Sequence, residues 1–140
     1  MIYKIFGNTA VVRIDRGEEI VSCVKKLCEK ENIRLASITA LGAVDHAVVG
    51  LYRVSEKKYL KNTFEKEMEM TSLTGNVTTK GGETYLHFHA NFADADGKVV
   101  GGHLNEARVS GTCEMFVTIL DGTVERKNDE ITGLNLFSFK

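Results

Sequence analysis

The chain has 140 residues, of which 43% are hydrophobic, and its formal net charge at pH 7 is −1. This size and composition predict one domain, spanning residues 1–140, with a single hydrophobic core. The near-neutral charge excludes a general electrostatic attraction to nucleic acid, so phosphate binding would need a local basic patch. The basic runs at 57–61 and 126–127 are balanced by acidic neighbours, which is typical of a mixed, solvated surface.

Cysteine usage and hydropathy indicate a cellular compartment. The three cysteines are odd in number and lack a CxxC spacing, which argues against a disulfide framework and against a thiolate zinc site. The first residues contain no apolar segment of signal-peptide length, and no apolar stretch approaches the roughly 20 residues that a membrane span requires. We therefore expect a protein of the reducing cytoplasm with no membrane partner.

The first half of the chain predicts two kinds of element. A short strand over 10–14 is followed by a turn and an acidic first helical turn over 15–19. An amphipathic helix then follows, with apolar positions that recur at helical spacing. Those positions are Ile20, Val24, Leu27 and Cys28. The small, uncharged segment 35–44 predicts a buried strand that leads into a glycine turn at Gly42, and a further strand follows over 47–54.

From residue 58 onward the pattern predicts one strand for every ten or so residues, so most of the chain should be antiparallel β-sheet. The predicted strands cover 59–64, 68–77, 84–92, 98–104, 113–120 and 134–139. Turn residues at 80–83, 94–97 and 121–122 predict tight reversals between them.

Three of the four histidines, His87, His89 and His103, fall within seventeen residues. On a strand, residues i and i+2 share one face roughly 7 Å apart, so His87 and His89 would lie side by side. A third imidazole from a neighbouring strand would complete a site for a divalent metal ion, with zinc the foremost candidate, and would leave one coordination position open. The alternative is that these are hydrogen-bonding histidines of a half-buried sheet. His46, after the glycine turn, is expected on the surface.

The hairpin register poses a difficulty for this site. A plain turn at 94–97 would pair residues whose numbers have an odd sum, and His103 would then face away from His87 and His89. A β-bulge reverses the facing of every residue beyond it, and the pair Gly101 and Gly102 could adopt the necessary backbone angles. We therefore expect a bulge at these glycines to turn His103 inward, although close approach of a ligand or subunit is an equally open reason for them.

Four carboxylates, Asp94, Asp96, Glu106 and Glu114, could approach the histidines as supporting or catalytic groups. Glu114 is the best catalytic candidate because it interrupts a strand-like run; the alternative is that it simply faces solvent. Cys113 beside it could be a ligand, but a single cysteine in a strand is usually a small core residue. The sequence has neither a Gly-x-Ser-x-Gly elbow nor a phosphate-binding glycine loop.

The segment from His87 to Leu104, with its His-x-His and Gly-Gly-His-Leu motifs, resembles the plants-and-prokaryotes conserved (PPC) domain. The run 41–44 is similar to that family's glycine turn, and 69–77 is similar to its Glu-x-x-Ser-Leu-x-Gly strand. Glu114 occupies a position where the family carries glutamate. The resemblance covers nearly the whole chain, with one departure at 105–108, where relatives often have a more apolar stretch.

The resemblance implies an α+β fold, with a mainly antiparallel sheet packed on one principal α-helix and assembly as a homotrimer. It maps the family's histidines onto His87, His89 and His103. In plant members the domain is joined to AT-hook segments that bind DNA, and the domain itself mediates trimerisation and contacts with transcription factors. This chain has no AT-hook and no proline. It is therefore similar to the free-standing prokaryotic form, for which a DNA-binding label transfers poorly because fold does not fix function.

Three functions stay open at this point. The first is a trimeric metal-binding domain with a regulatory or ligand-sensing role. The second is a DNA-associated transcriptional regulator that lacks an AT-hook, and the third is a small metal-dependent enzyme that uses a carboxylate such as Glu114. A cupin barrel also carries His-x-His on a strand, but its downstream glutamate and glycine-proline motif are missing here.

Overall fold

A computed structural model describes residues 1–139 as one α-helix and nine β-strands, which belong to a single, mainly antiparallel sheet. This confirms the predicted α+β class. The elements are β1 (Ile2–Phe6), β2 (Thr9–Asp15), α1 (Ile20–Lys30), β3 (Ala36–Arg53), β4 (Lys58–Phe64), β5 (Met68–Lys80), β6 (Glu83–Ala93), β7 (Val99–Ile119), β8 (Glu125–Asn128) and β9 (Asn135–Ser138).

The helix α1 forms where the apolar spacing predicted it. Its first turn is capped by the Glu19 carboxylate, which accepts hydrogen bonds from the backbone N–H groups of Val21 and Ser22 at 2.9 and 2.7 Å. Its apolar face is buried against β6 and β7. The buried residues are Ile20, Cys23, Val24, Leu27 and Cys28.

Four strands close into a ring, because β3 pairs with β5 and β7, and β6 also pairs with β5 and β7. Alternate side chains of these strands point inward and form one hydrophobic core. The opposite face of β6 is less buried. This alternation leaves one side of β6 available for polar groups.

Strands β3 and β7 are longer than the sequence predicted. The expected glycine turn at Gly42 is wrong: Gly42 lies inside β3, where a side chain would meet the backbone oxygen of Thr112 at 2.2 Å. The glycine is therefore required by the close approach of β7 and not by a reversal of the chain. Register shifts between β3 and β7 near this point let both long strands bend without ending.

Three further features differ from the expectations. Strands β1 and β8 were not predicted, since β1 is largely exposed and β8 has only four residues. The residues Asp121 and Gly122 do not join a hairpin, because β7 pairs with β2, β3 and β6, and β8 pairs with β5 and β9. Among residues 1–139, no helix has the length and apolarity needed to cross a membrane.

Candidate metal centre

The three clustered histidines lie on one hairpin, with His87 and His89 on β6 and His103 on β7. Along β6 they alternate with Phe88 and Ala90, which are each 2% exposed. Since neighbouring side chains on a strand point to opposite faces, burial of Phe88 fixes both imidazoles on the outer face. His103 is the direct cross-strand partner of His89, so it projects from the same face.

The predicted bulge exists at a different place. The β6–β7 register runs without a shift through Gly101 and Gly102, so the bulge expected there is wrong. The change in the face to which β7 side chains point arises in the turn itself. There the N–H of Gly97 donates to the Asp94 carbonyl, and Gly97 has φ +74°. A three-residue loop that ends in such a left-handed glycine adds one residue to the plain turn, and this brings His103 to the same side as His89.

The imidazoles converge closely enough to share an ion. Ring centroids are 5.1 Å apart for His87 and His89, 5.1 Å for His87 and His103, and 5.8 Å for His89 and His103. One nitrogen of each ring lies within 4.8 Å of the others. Three nitrogens at such distances can surround a divalent ion with bonds of about 2.0–2.1 Å.

Two of the three histidines, His87 and His103, favour the uncharged form of imidazole. Burial lowers the pKa of His87 from its ordinary 6.5 to about 4, and the neighbouring charges of the other two histidines and of Arg126 act in the same direction. Burial, and then the charge of His89, also lowers the pKa of His103. Because neutral imidazole is the form that binds metal, the lowered pKa values of His87 and His103 favour the metal-binding form of both side chains near pH 7.

The histidines open onto a pocket of about 520 Å³, whose walls are mainly aromatic and aliphatic. Tyr59 lies edge-on to His103 with 6.0 Å between ring centroids, and its hydroxyl accepts a 2.6 Å hydrogen bond from the side-chain amide of Asn105. Gly102 lets β7 approach β3, since a side chain there would meet the Gly50 carbonyl oxygen at 2.7 Å. The pocket is lined by Gly50, Leu51, Tyr52, Tyr59, Tyr85, His87, His89, Gly102, His103, Arg126, Leu134, Asn135 and Leu136.

The candidate carboxylates are not brought to the histidines within the chain. Glu114 is exposed, lies opposite Arg13 on β2, and belongs to grooves elsewhere on the sheet. Asp94 pairs with Lys66 at 2.9 Å. The other two, Asp96 and Glu106, are also absent from the pocket lining, which contains no acidic side chain among residues 1–139. Cys113 is buried in the core, and burial raises its pKa to about 12.

His46 is not the free surface residue that the sequence predicted. Its side chain is only 14% exposed, and its two ring nitrogens contact Glu65 at 2.6 Å and Glu106 at 2.7 Å. It lies on β3, between strands β4 and β7, and not after a turn. The expectation failed because Gly42 was interpreted as the end of a strand.

Arg126 is the pocket residue that sequence reasoning missed. It belongs to a basic run that was interpreted as solvated surface, yet it is only 7% exposed and lines the same pocket as the histidines. The sequence signal is weak, since β8 has only four residues and Val124, two residues before Arg126, lies outside it. Its burial depends on contacts with Tyr85 and Phe137 that come from distant segments.

Comparisons with known proteins agree with this architecture. Solved structures that resemble the chain include a "Metal-containing Protein" from Archaeoglobus fulgidus, with 37% identity, 99% of both chains covered and a TM-score of 0.90. A "putative dna binding protein" from Bacteroides thetaiotaomicron has 30% identity, covers 99% of this chain and 96% of its own, and has a TM-score of 0.96. A "plant- and prokaryote-conserved (PPC) protein" from Pyrococcus horikoshii has 31% identity, the same coverage and a TM-score of 0.87.

The search of curated proteins finds no match. The family model described as "Plants and Prokaryotes Conserved (PCC) domain" matches residues 1–121, which include the helix, the ring of four strands and all three clustered histidines. The motifs, the fold and the family model thus agree, and the chain belongs to the Plants and Prokaryotes Conserved domain family.

Proposed function

We propose that the protein is a homotrimeric metal-binding domain with a regulatory or ligand-sensing role, in which His87, His89 and His103 hold one divalent ion in each subunit. The convergence of the three ring nitrogens within 4.8 Å carries this proposal. Three imidazoles suit zinc and leave a position open to a ligand. The description of the Archaeoglobus fulgidus relative as metal-containing gives independent support for a metal, and zinc is the ion that we propose.

Ligand sensing is favoured over catalysis by the composition of the pocket. A metal-dependent hydrolase commonly needs a carboxylate near the ion to move protons. The described residues that line this pocket include none, and Glu114 lies in other grooves. The pocket does offer a concave, mostly apolar surface beside the ion position, which suits binding of a small molecule.

Elemental analysis of untagged protein tests the metal site directly. We expect nearly one divalent ion per chain in the wild type and loss of that ion in the His87→Ala/His89→Ala double variant. The matched control is His46→Ala, which removes the remaining histidine and should retain the metal. Wild-type protein that stays metal-free after incubation with zinc, or a double variant that keeps its ion, would refute the site.

The proposed trimer needs an apolar contact surface, and the sheet offers one. Ile2 and Phe6 are each 55% exposed, Leu41 is 55% exposed and Phe116 is 54% exposed. Phe116 lies in both of the adjoining grooves that contain the other three side chains. Apolar side chains grouped in this way are typical of an interface between subunits.

Light scattering should give a mass of 46.5 kDa for the wild type, which is three times the 15.5 kDa of the chain. Phe116→Asp should reduce the mass toward that of one chain, because it places a charge in the proposed contact. Ile131→Asp is the control, since Ile131 is 84% exposed and lies outside both grooves. A wild-type mass of 15.5 kDa would contradict the trimer.

We also propose that residues 1–140 form one domain, because a single core cluster draws on α1 and on strands β2, β3, β5, β6 and β7. A reducing cytoplasm is the proposed location, since Cys23, Cys28 and Cys113 are all buried and unpaired.

DNA association remains the second candidate function, and the description of the Bacteroides thetaiotaomicron relative is the observation that favours it. A steep dependence of DNA binding on salt would distinguish it from ligand sensing.

A further inference from the structure

Arg126 is a buried cation beside the proposed metal site. Its guanidinium carbon lies 4.6 Å from the ring centroid of Tyr85 and 4.5 Å from that of Phe137, so the planar group is held between two aromatic rings. The residue is 7% exposed. The little surface that remains opens into the pocket that the three histidines line.

Within residues 1–139, the hydrogen bonds that Arg126 donates all go to neutral acceptors. Nε donates to the Thr78 hydroxyl at 2.8 Å, Nη1 donates to the Asn135 carbonyl at 2.7 Å, and Nη2 donates to the Asn76 side-chain oxygen at 2.8 Å. No carboxylate in the part of the chain that the structure describes forms an ion pair with it. A guanidinium has five N–H donors, so two are left for another acceptor.

An unpaired buried charge is costly, and burial accordingly lowers the pKa of Arg126. Arginine nevertheless stays protonated near neutral pH, so the cost is not removed by loss of the proton. A protein that needed Arg126 only for packing could place an apolar side chain between the two rings. The positive charge therefore requires an explanation other than the local fold.

The strand register places Arg126 next to the histidines. Two of its acceptors, Asn76 and Thr78, are the cross-strand partners of His87 and Tyr85. Tyr85, His87 and His89 follow one another at two-residue intervals on one face of β6. Because Arg126 stacks on Tyr85, it lies at the end of this row of side chains, next to the histidines. Its charge lowers the pKa of His87.

The charges of the site do not balance. A divalent ion held by three neutral imidazoles keeps its full charge of +2, and Arg126 adds a further positive charge. The described lining of the pocket contains no acidic group to offset them. The missing negative charge can be supplied by a ligand that occupies the open coordination position.

We propose that this pocket binds a small organic carboxylate, with its anionic end between the ion and Arg126 and its apolar part against Leu51, Tyr59 and Leu134. This inference rests on the proposed metal site and names the class of ligand for it. A carboxylate fits the planar donors of one guanidinium. A phosphate is less suited, because the described pocket lining has one basic side chain besides the three histidines, and its walls are mostly apolar.

The test uses zinc-loaded, ¹⁵N-labelled full-length protein and three probes, which are acetate, benzoate and the neutral isostere benzamide. Binding is followed through the Arg126 Nε–H resonance, which is assigned by its disappearance in Arg126→Met. We expect acetate and benzoate to shift this resonance to saturation, benzoate at the lower concentration because of its apolar ring, and benzamide to leave it unchanged.

Two variants establish the role of the charge, with binding followed through the amide resonances of Leu51 and His103. Arg126→Met should weaken benzoate binding roughly tenfold or more, the loss expected for a hydrogen bond to a charged group, while zinc content stays at the wild-type value. Arg126→Lys keeps the charge without the planar donors and should give an intermediate affinity. If the Met variant does not fold, the Lys variant and the benzamide comparison still decide the question.

Failure of this inference can be told from failure of the metal site. A zinc-loaded protein that binds neither acetate nor benzoate, or that binds benzamide equally well, overturns the carboxylate site and leaves the metal site standing. Unchanged benzoate affinity in Arg126→Met also overturns it. A protein that holds no zinc but binds benzoate through Arg126 would refute the metal site and the proposed contact of the carboxylate with the ion, and it would uphold only the contact with Arg126.

Discussion

Replacement of Phe88 by alanine is expected to lower the free energy of unfolding by about 3–5 kcal/mol, the usual cost of a phenylalanine-sized cavity in a core. Phe88 is 2% exposed and lies at the centre of β6, on the inner face of the strand ring. It also separates His87 from His89 along the strand. Its burial therefore fixes the orientation of both imidazoles as well as contributing to the core.

Urea denaturation of the metal-free protein, with every variant at the same protein concentration, measures this effect without a contribution from the ion. Phe139→Ala is the matched control, since Phe139 is 79% exposed and its replacement should change stability by less than about 0.5 kcal/mol. Equal effects of the two variants would show that the core does not depend on Phe88. Metal-dependent differences can then be measured separately.

Zinc at a free concentration a thousandfold above its dissociation constant is expected to raise the free energy of unfolding by about 4 kcal/mol. The reason is that the ligands come from two strands, with His87 and His89 on β6 and His103 on β7. The unfolded chain does not hold these strands side by side, so the ion binds the folded state in preference. His103→Ala should abolish most of this stabilisation.

Denaturation curves with zinc and with a chelator give the size of the effect for each protein. His46→Ala should keep the full zinc-dependent increase, because His46 contacts Glu65 and Glu106 and is not part of the cluster. If His103→Ala retained the increase as well, the ion would be held by β6 alone or at another place. That result would reject the three-histidine site while leaving the fold unaffected.

The sequence predicted local structure well where a periodic pattern was strong. The helix α1 follows from the spacing of Ile20, Val24 and Leu27, and most strands follow from alternation bounded by turn residues. Where a strand continues through a glycine was harder to predict. Gly42 resembled a turn in sequence, and only the position of β7 against it shows that the glycine permits close packing inside a strand.

The site could be predicted in part for the same reason. His87 and His89 share a face through their spacing alone. For His103 to face the same side, the turn between β6 and β7 needs one residue more than a plain two-residue turn. That residue is Gly97 in the turn, and no local pattern distinguished it from Gly101 or Gly102. Arg126 could not be found at all, because its burial arises from segments far away in the chain.

The turn between β6 and β7 has a consequence for how this family can vary. Side chains alternate with a period of two, so the parity of the number of residues between His89 and His103 decides whether the third imidazole faces the other two. Insertions or deletions of two residues in this loop preserve the arrangement, whereas a change of one residue sends His103 to the opposite face. We therefore expect the parity of the 94–98 loop to be constrained by the histidines, even though the side chains of this loop are exposed for the most part and are absent from the lining of the histidine pocket.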